Sequence, residues 1–317
     1  MRYCDIILWI LAVIIFLFGL VLNNRILLAL VAACAAINFG TFAIKGFRRK
    51  KKRNQVPVII FIVFLSLHTN INLYAINPER TYRYTPDQYG LKYQNLIVET
   101  EDGANLLVWH IATNNQRQNT MPVLIVNSDA GNMGYWISLA YYLNYLNYDV
   151  WMFDWRGFGG SSDFEAKKEM LFYQEYITDL KAVIDQVHQT NDMPLVIVGY
   201  SMGTIVIQEY LKSSPHNDVL AVVFDGYVGN PNLFVSHLAE EGKLIELPKG
   251  YAYVDKPIDV PVLIVSAKQD KYCSKDNISS LNDNVKVVEY DCGHIMSLSS
   301  FPGEYVSELN AFIQDLR

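Results

Sequence analysis

Ser201 stands in Gly199-Tyr200-Ser201-Met202-Gly203, after the apolar run 195–198 and before residues 204–211, which can be helical until Pro215 forbids it. A serine on so sharp a strand-to-helix turn has its hydroxyl lifted out of the fold. The next backbone N–H, that of Met202, then lies at the positive end of a helix, where a developing oxyanion is stabilised. A serine hydroxyl is a weak nucleophile unless a neutral imidazole takes its proton, and that imidazole needs a carboxylate to fix its tautomer. The chemistry suggested is acyl transfer, and it requires one histidine and one acid.

Of six histidines, His68 lies in an apolar block, His110 in an early strand, His188 at a helix end, His216 before a strand and His237 in a long connection. His294 alone follows the last strand, in Asp291-Cys292-Gly293-His294, which is its place in the chain order serine, acid, histidine. For the acid, Asp270 ends the strand at 262–266 through a short loop, and Asp225, ending the strand before it, is the alternative. A second oxyanion donor is expected from the loop Asn127-Ser128-Asp129-Ala130-Gly131-Asn132-Met133-Gly134, at the backbone N–H of Asp129. That loop lacks G-x-G-x-x-G and the Walker lysine pattern, and Asp129 would repel phosphate, so a nucleotide site is disfavoured. No H-E-x-x-H pair or zinc-like cysteine cluster occurs, and neither metal nor cofactor is called for.

These residues need a scaffold that brings strand ends together. A β-hairpin is read at 96–100 and 106–111 around Glu101-Asp102-Gly103, followed by an alternation of strands and helices. The strands are expected at 123–126, 150–153, 195–198, 220–224, 262–265 and 285–288. The helices are expected at 134–146, 169–187, 204–211 and 305–316. Such βα units predict an α/β fold with a mostly parallel sheet and helices on both faces, working residues gathering at the carboxyl ends of the strands. Residues 227–260, with a helical patch at 233–238, read as a small lid.

The rest of the chain is of different composition. Residues 1–74 hold nine of the 26 basic residues and one of the 32 acids. Residues 6–22 and 26–44 are apolar blocks near the ~20 residues of a spanning helix, and they read as a helical hairpin; a signal peptide is the competing reading of the first. The basic run 45–53 then reads as a cytoplasmic loop, and 56–74 as a third span or an interfacial segment. Three spans would place the catalytic domain outside the cytoplasm; two would leave it inside. The expected organisation is a membrane region 1–76, a polar, tyrosine-rich linker 77–88, and a catalytic domain 89–317. The 17 basic and 31 acidic residues from 75 onward give that part a net −14, which disfavours nucleic-acid partners. Cys273 and Cys292 follow successive strands and are read either as a disulfide or as two free thiols.

The loop 127–134, Phe153-Asp154-Trp155-Arg156-Gly157-Phe158-Gly159-Gly160-Ser161, the Ser201 pentapeptide, Asp270 and His294 together resemble the α/β-hydrolase superfamily over residues 89–317. The similarity is to its small-lid, membrane-associated serine hydrolases, which include depalmitoylating thioesterases and lipases of monoacylglycerols and lysophospholipids. The resemblance implies a Ser201, His294, Asp270 triad with the Asp129 and Met202 N–H groups as oxyanion hole. It also implies an internal ion pair between Asp154 and Arg156. The chain departs from the family at Asn127-Ser128, where His-Gly is usual, at Asp129, where Asn is usual, and at Thr204, where glycine is frequent. A membrane-anchored hydrolase of an ester or thioester, acting on an acyl-lipid or S-acyl substrate, is the reading that follows. Trp136, Phe234 and Met296 would suit an acyl chain. A peptidase or amidase, or a non-catalytic binding module on the same scaffold, are the rivals.

Overall fold

The computed structural model describes residues 75–113, 120–213, 218–240, 242–270, 273 and 284–316. The expected membrane segments, the basic loop and His68 and His216 lie outside the described residues. Among the described residues no helix is long and apolar enough to cross a membrane.

An eight-stranded sheet organises these residues. In chain order its strands are β2 (Gln94–Glu99), β3 (Asn105–Ile111), β4 (Pro122–Val126), β6 (Asp149–Phe153), β7 (Leu195–Tyr200), β8 (Val219–Asp225), β9 (Val262–Ala267) and β10 (Val285–Tyr290). Across the sheet they run β10-β9-β8-β7-β4-β6-β3-β2. Every pair from β10 to β6 is parallel; β3 pairs antiparallel with both β6 and β2. Two short strands, β1 (Asn77–Pro78) and β5 (Ala130–Gly131), form a separate parallel pair.

The central strands are buried along their whole length because both faces are covered. Their alternation sorts the core into two layers. Leu124, Val126, Leu195 and Ile197 join one layer with Leu180, Val183 and Ile184 of α2 (Glu175–Thr190) and Ile205 and Val206 of α3 (Met202–Ser213). Val123, Ile125, Val196 and Val198 join the other with Ile137, Ala140 and Leu143 of α1 (Ile137–Tyr145) and Leu309, Phe312 and Ile313 at the carboxyl-terminal helix (Pro302–Gln314). Helix α2 shows why: Tyr176, Asp179, Leu180, Val183, Ile184 and Val187 are its buried residues, at helical spacing.

Chain order and strand order disagree at β4. From β4 the chain moves to β6 on one side, then crosses back to β7 on the other. That reversal opens a crevice beyond the carboxyl ends of β4 and β7, which is where an open parallel sheet binds ligands.

Two expectations are corrected. Helix α2 begins at Glu175 rather than at 169, because Met170 and Leu171 are held in a bridge: Leu171 N–H donates to the Glu246 carbonyl at 2.8 Å, and Glu246 N–H to that of Glu169 at 2.7 Å. The segment read as a linker from 77 is docked onto the sheet's loops through β1, and Ala75 and Ile76 before it are buried. Within 227–260 lies helix α4 (Pro231–Glu240), with irregular backbone after it.

Candidate active site

Ser201 joins β7 to α3 with a φ of 48°, a left-handed conformation that a non-glycine residue holds only under constraint. Its N–H donates to the Asp225 carbonyl at 2.9 Å, and its own carbonyl accepts the Thr204 N–H at 2.9 Å and hydroxyl at 2.7 Å. Thr204, the departure from glycine, thus adds a bond that locks the turn. Gly203 has no such latitude: a Cβ there would sit 2.6 Å from the Asn127 carbonyl oxygen. The turn is therefore pressed against the loop after β4 on one side and tied to the end of β8 on the other.

The structure brings Ser201, His294 and Asp270 into line. His294 Nε2 lies 2.9 Å from Ser201 Oγ, and its Nδ1 lies 2.5 Å from Asp270 Oδ2. Asp270, three residues beyond β9, is buried, and its other oxygen accepts the Cys273 N–H at 3.1 Å. An ionised carboxylate accepts only, so Nδ1 carries the ring proton and Nε2 presents a lone pair to the serine hydroxyl. Burial opposes charging of the ring. The hydrogen bond to Asp270 and the negative fields of Asp270, Asp129 and Asp225 outweigh it and hold the His294 pKa above its ordinary value. Gly226, at a φ of 68°, floors the ring, since a Cβ there would lie 2.6 Å from His294 Cε1.

Asp225, the alternative acid, is placed otherwise. Its side chain is fully buried, neither carboxylate oxygen accepts a well-formed hydrogen bond among the described residues, and burial, opposed by the field of His294 and a weak donation from the Tyr305 hydroxyl, raises its pKa to about 7. Asp270, not Asp225, is the acid bonded to His294.

Met202 and Asp129, the two residues whose N–H groups are the expected oxyanion donors, follow β7 and β4 respectively. Met202 is the first residue of α3, so its N–H has no intrahelical acceptor. Asp129 is half-buried in the loop after β4, and burial pushes its carboxyl pKa up against the pull of its own backbone N–H and of His294. Asn127 stiffens this loop, its Oδ1 accepting the Ser128 N–H at 2.9 Å and the Trp136 Nε1–H at 2.7 Å. Trp136 is buried and stacked on Tyr200; Phe234 is partly buried in a core layer, and Met296, beside His294, is half exposed.

Other expectations resolve differently. Asp154 and Arg156 do not pair with each other. Asp154 accepts the Met133 N–H at 2.7 Å and the Tyr82 hydroxyl, whereas Arg156 grips Asp179 and Asp102 with Nη2–Oδ1 and Nη1–Oδ2 distances of 2.7 Å and 2.6 Å. Cys273 and Cys292 are both buried free thiols. Asp270, Cys273 and His294 have donor atoms within 4.8 Å of one another. They make a poor cation cradle: both ring nitrogens are already committed to hydrogen bonds, and burial holds the thiol well above its ordinary pKa. Sequence reasoning missed the tie of Tyr82 and Asn132 to this site. The tyrosine-rich composition of 77–88, unusual in a linker, was the available signal.

The α/β-hydrolase fold family matches residues 121–256, which hold the crevice, the loop after β4 and the Ser201 turn. Over those residues the chain carries the α/β-hydrolase fold. An uncharacterized protein of Escherichia coli strain K12 is 25% identical over 67% of this chain and 74% of its own length. A probable lysophospholipase L2 of Haemophilus influenzae is 30% identical over 34% of this chain and 35% of its own. Among solved structures, a Pyrococcus furiosus esterase superposes with a TM-score of 0.62 at 20% identity, covering 76% of this chain and 97% of its own. That likeness covers more of the chain than the family match and is one of fold.

Proposed function

We propose that this α/β-hydrolase is a serine hydrolase that cleaves carboxylic esters or thioesters through an acyl-enzyme, and that Ser201, His294 and Asp270 are its catalytic triad. The observation that carries the reading is the unbroken line from Ser201 Oγ through both nitrogens of His294 to Asp270. His294 Nε2 takes the Ser201 proton as Oγ attacks the carbonyl carbon. The Met202 and Asp129 N–H groups receive the oxyanion, and the imidazolium returns its proton to the departing alcohol or thiol. Water, deprotonated by the same nitrogen, then releases the acid and restores the serine. Asp270 remains ionised throughout and holds the ring.

The amino-terminal quarter, with its apolar blocks and basic run, tethers the domain to a membrane, and three spans place the domain on the extracytoplasmic side. An acyl-lipid or S-acyl substrate follows from that tether. The half-exposed Met296 beside His294 and the lysophospholipase-like relative both favour it. A peptidase would share the triad, and a binding module would have no use for a base poised on a strained serine.

A series of p-nitrophenyl esters, acyl thioesters and the matching anilides, of increasing chain length, tests the reading on the solubilised protein. Turnover with a burst of one leaving group per Ser201, absent from Ser201→Ala, is expected. Hydrolysis of amides but not esters would replace this reading by the peptidase, and inertness towards all three by the binding module.

A further inference from the structure

The segment 75–84 enters the domain as a strap across two loops beside the site. β1 lies parallel to β5, with the Asn77 N–H donating to the Asp129 carbonyl and the Glu79 N–H to that of Gly131, both at 2.8 Å. The loop reaches back: Asn132 Nδ2 donates to the Glu79 and Thr81 carbonyls at 3.2 Å and 2.9 Å, and the Tyr135 hydroxyl to Glu79 Oε1 at 2.8 Å. Tyr82 closes the grip through its bond to the buried Asp154, whose other oxygen holds the Met133 N–H. Gly134 is so close to the strap that a Cβ there would lie 2.5 Å from the Tyr84 carbonyl oxygen. Backbone at Asp129, Gly131 and Met133 is thus fixed by residues some fifty positions upstream.

Little else could fix it. The loop 127–134 is too short and too rich in small residues to define its own path, and Gly131 takes a φ of 77°. Its first residue is anchored by Trp136 and by contact with Gly203, and Met133 by Asp154 and by burial in the core, whereas Asp129 to Asn132 lean on the strap. We propose that residues 75–84 are a positioning element of the oxyanion hole, holding the Asp129 backbone in register with Ser201 through the contacts of Asn77, Tyr82 and Asn132. This deepens, and rests on, the serine-hydrolase reading above. The strap touches none of the reacting atoms; it acts through the loop.

Tyr82→Phe removes the hydroxyl and keeps the ring packed on Trp109. Asn132→Asp keeps the oxygen that caps the Gly134 N–H and loses the two bonds to the strap. Lys181→Ala is the control, because Lys181 pairs with Asp185 on the exposed side of α2, outside the strap and the loop. Active sites are first counted with a fluorophosphonate, so that loss of folded protein does not register as loss of turnover. Losing one oxyanion donor costs about 100- to 1,000-fold in kcat, so loosening one is expected to cost each of the two variants about 10- to 100-fold. KM should stay within about twofold, and affinity for a trifluoromethyl ketone, which adds to the serine as an oxyanion, should fall by the same factor as kcat. Lys181→Ala should match wild type. The proposal is overturned if turnover per titrated site is unchanged in both variants, or if the ketone's affinity does not follow kcat. Wild type that neither labels nor turns over an ester would overturn the hydrolase reading itself, and this one with it.

Discussion

Asp270 and Asp225 stand just beyond or at the ends of adjacent parallel strands, both buried and both within the electrostatic reach of the same imidazole. Asp270 is bonded to His294 on one oxygen and to the Cys273 N–H on the other. Asp225 accepts no well-formed hydrogen bond on either among the described residues, and only the Tyr305 hydroxyl donates weakly towards it. A carboxylate in an apolar interior is tolerated when donors meet its charge and is driven toward the neutral acid when they do not. Position on the sheet therefore does not make an acid useful; what its two oxygens touch does. A third buried carboxylate, Asp179, lies between the two: Arg156 meets it with Nε, Nη2 and its backbone N–H at 2.7–3.0 Å, yet burial still lifts its pKa to about 6.

The comparison is broken most severely at Asp270. Asp270→Asn should lower kcat by about 10⁴-fold by leaving His294 in the wrong tautomer, whereas Asp225→Asn should retain activity within a few-fold. Equal losses from the two would remove the distinction. Next in size is Arg156→Ala, which strands Asp179 as an uncompensated buried charge and should cost about 3–5 kcal/mol in urea unfolding, with the chemistry at Ser201 intact.

Asp225 gives a subtler signature. Its folded pKa of about 7 lies above the ordinary aspartate value, so the folded protein binds the extra proton between pH 4 and 7. Stability must then fall as pH rises through that window. The difference between wild type and Asp225→Asn should change by about 4 kcal/mol from pH 4 to pH 8, in the direction that favours the variant at high pH. A flat difference would mean that the carboxyl has found a partner. The smallest effect expected is at Asp129. Its negative field contributes to holding the His294 pKa up, so Asp129→Asn should move the acidic limb of the kcat/KM profile to lower pH. A shift to higher pH would contradict that electrostatic account.

How far the sequence alone could reach depended on the distance between the residues concerned. The Ser201 turn was legible because strand, glycines and helix are contiguous, and the period of the apolar residues changes within six positions. The parallel sheet was legible for the same reason, repeated at each βα unit. Asp270 and Asp225 could be proposed but not separated structurally, since both end apolar runs and only coordinates say which carboxyl faces the ring. Arg156 was assigned to the neighbour two residues away, Asp154, although its partners are 23 and 54 residues distant. The start of α2 was drawn too early because Met170, Leu171 and Phe172 continue an apolar pattern that is in fact satisfied by the bridge to Glu246. The strap was missed because its backbone pairing leaves almost no trace in residue type and its side-chain ties, Tyr82 to Asp154 and Asn132 to the Glu79 and Thr81 carbonyls, join residues 51 to 72 positions apart.

The central claim is that Ser201 is made nucleophilic by His294 and Asp270. The rate of fluorophosphonate labelling, followed by peptide mass spectrometry across pH 5 to 9, tests it most directly. The account predicts one labelled peptide containing Ser201, with a rate that rises with pH through a midpoint above the ordinary histidine value of about 6.5. It also predicts near-complete loss of labelling in Asp270→Asn and retention in Asp225→Asn. Label on a residue other than Ser201, or undiminished labelling in Asp270→Asn, would contradict it.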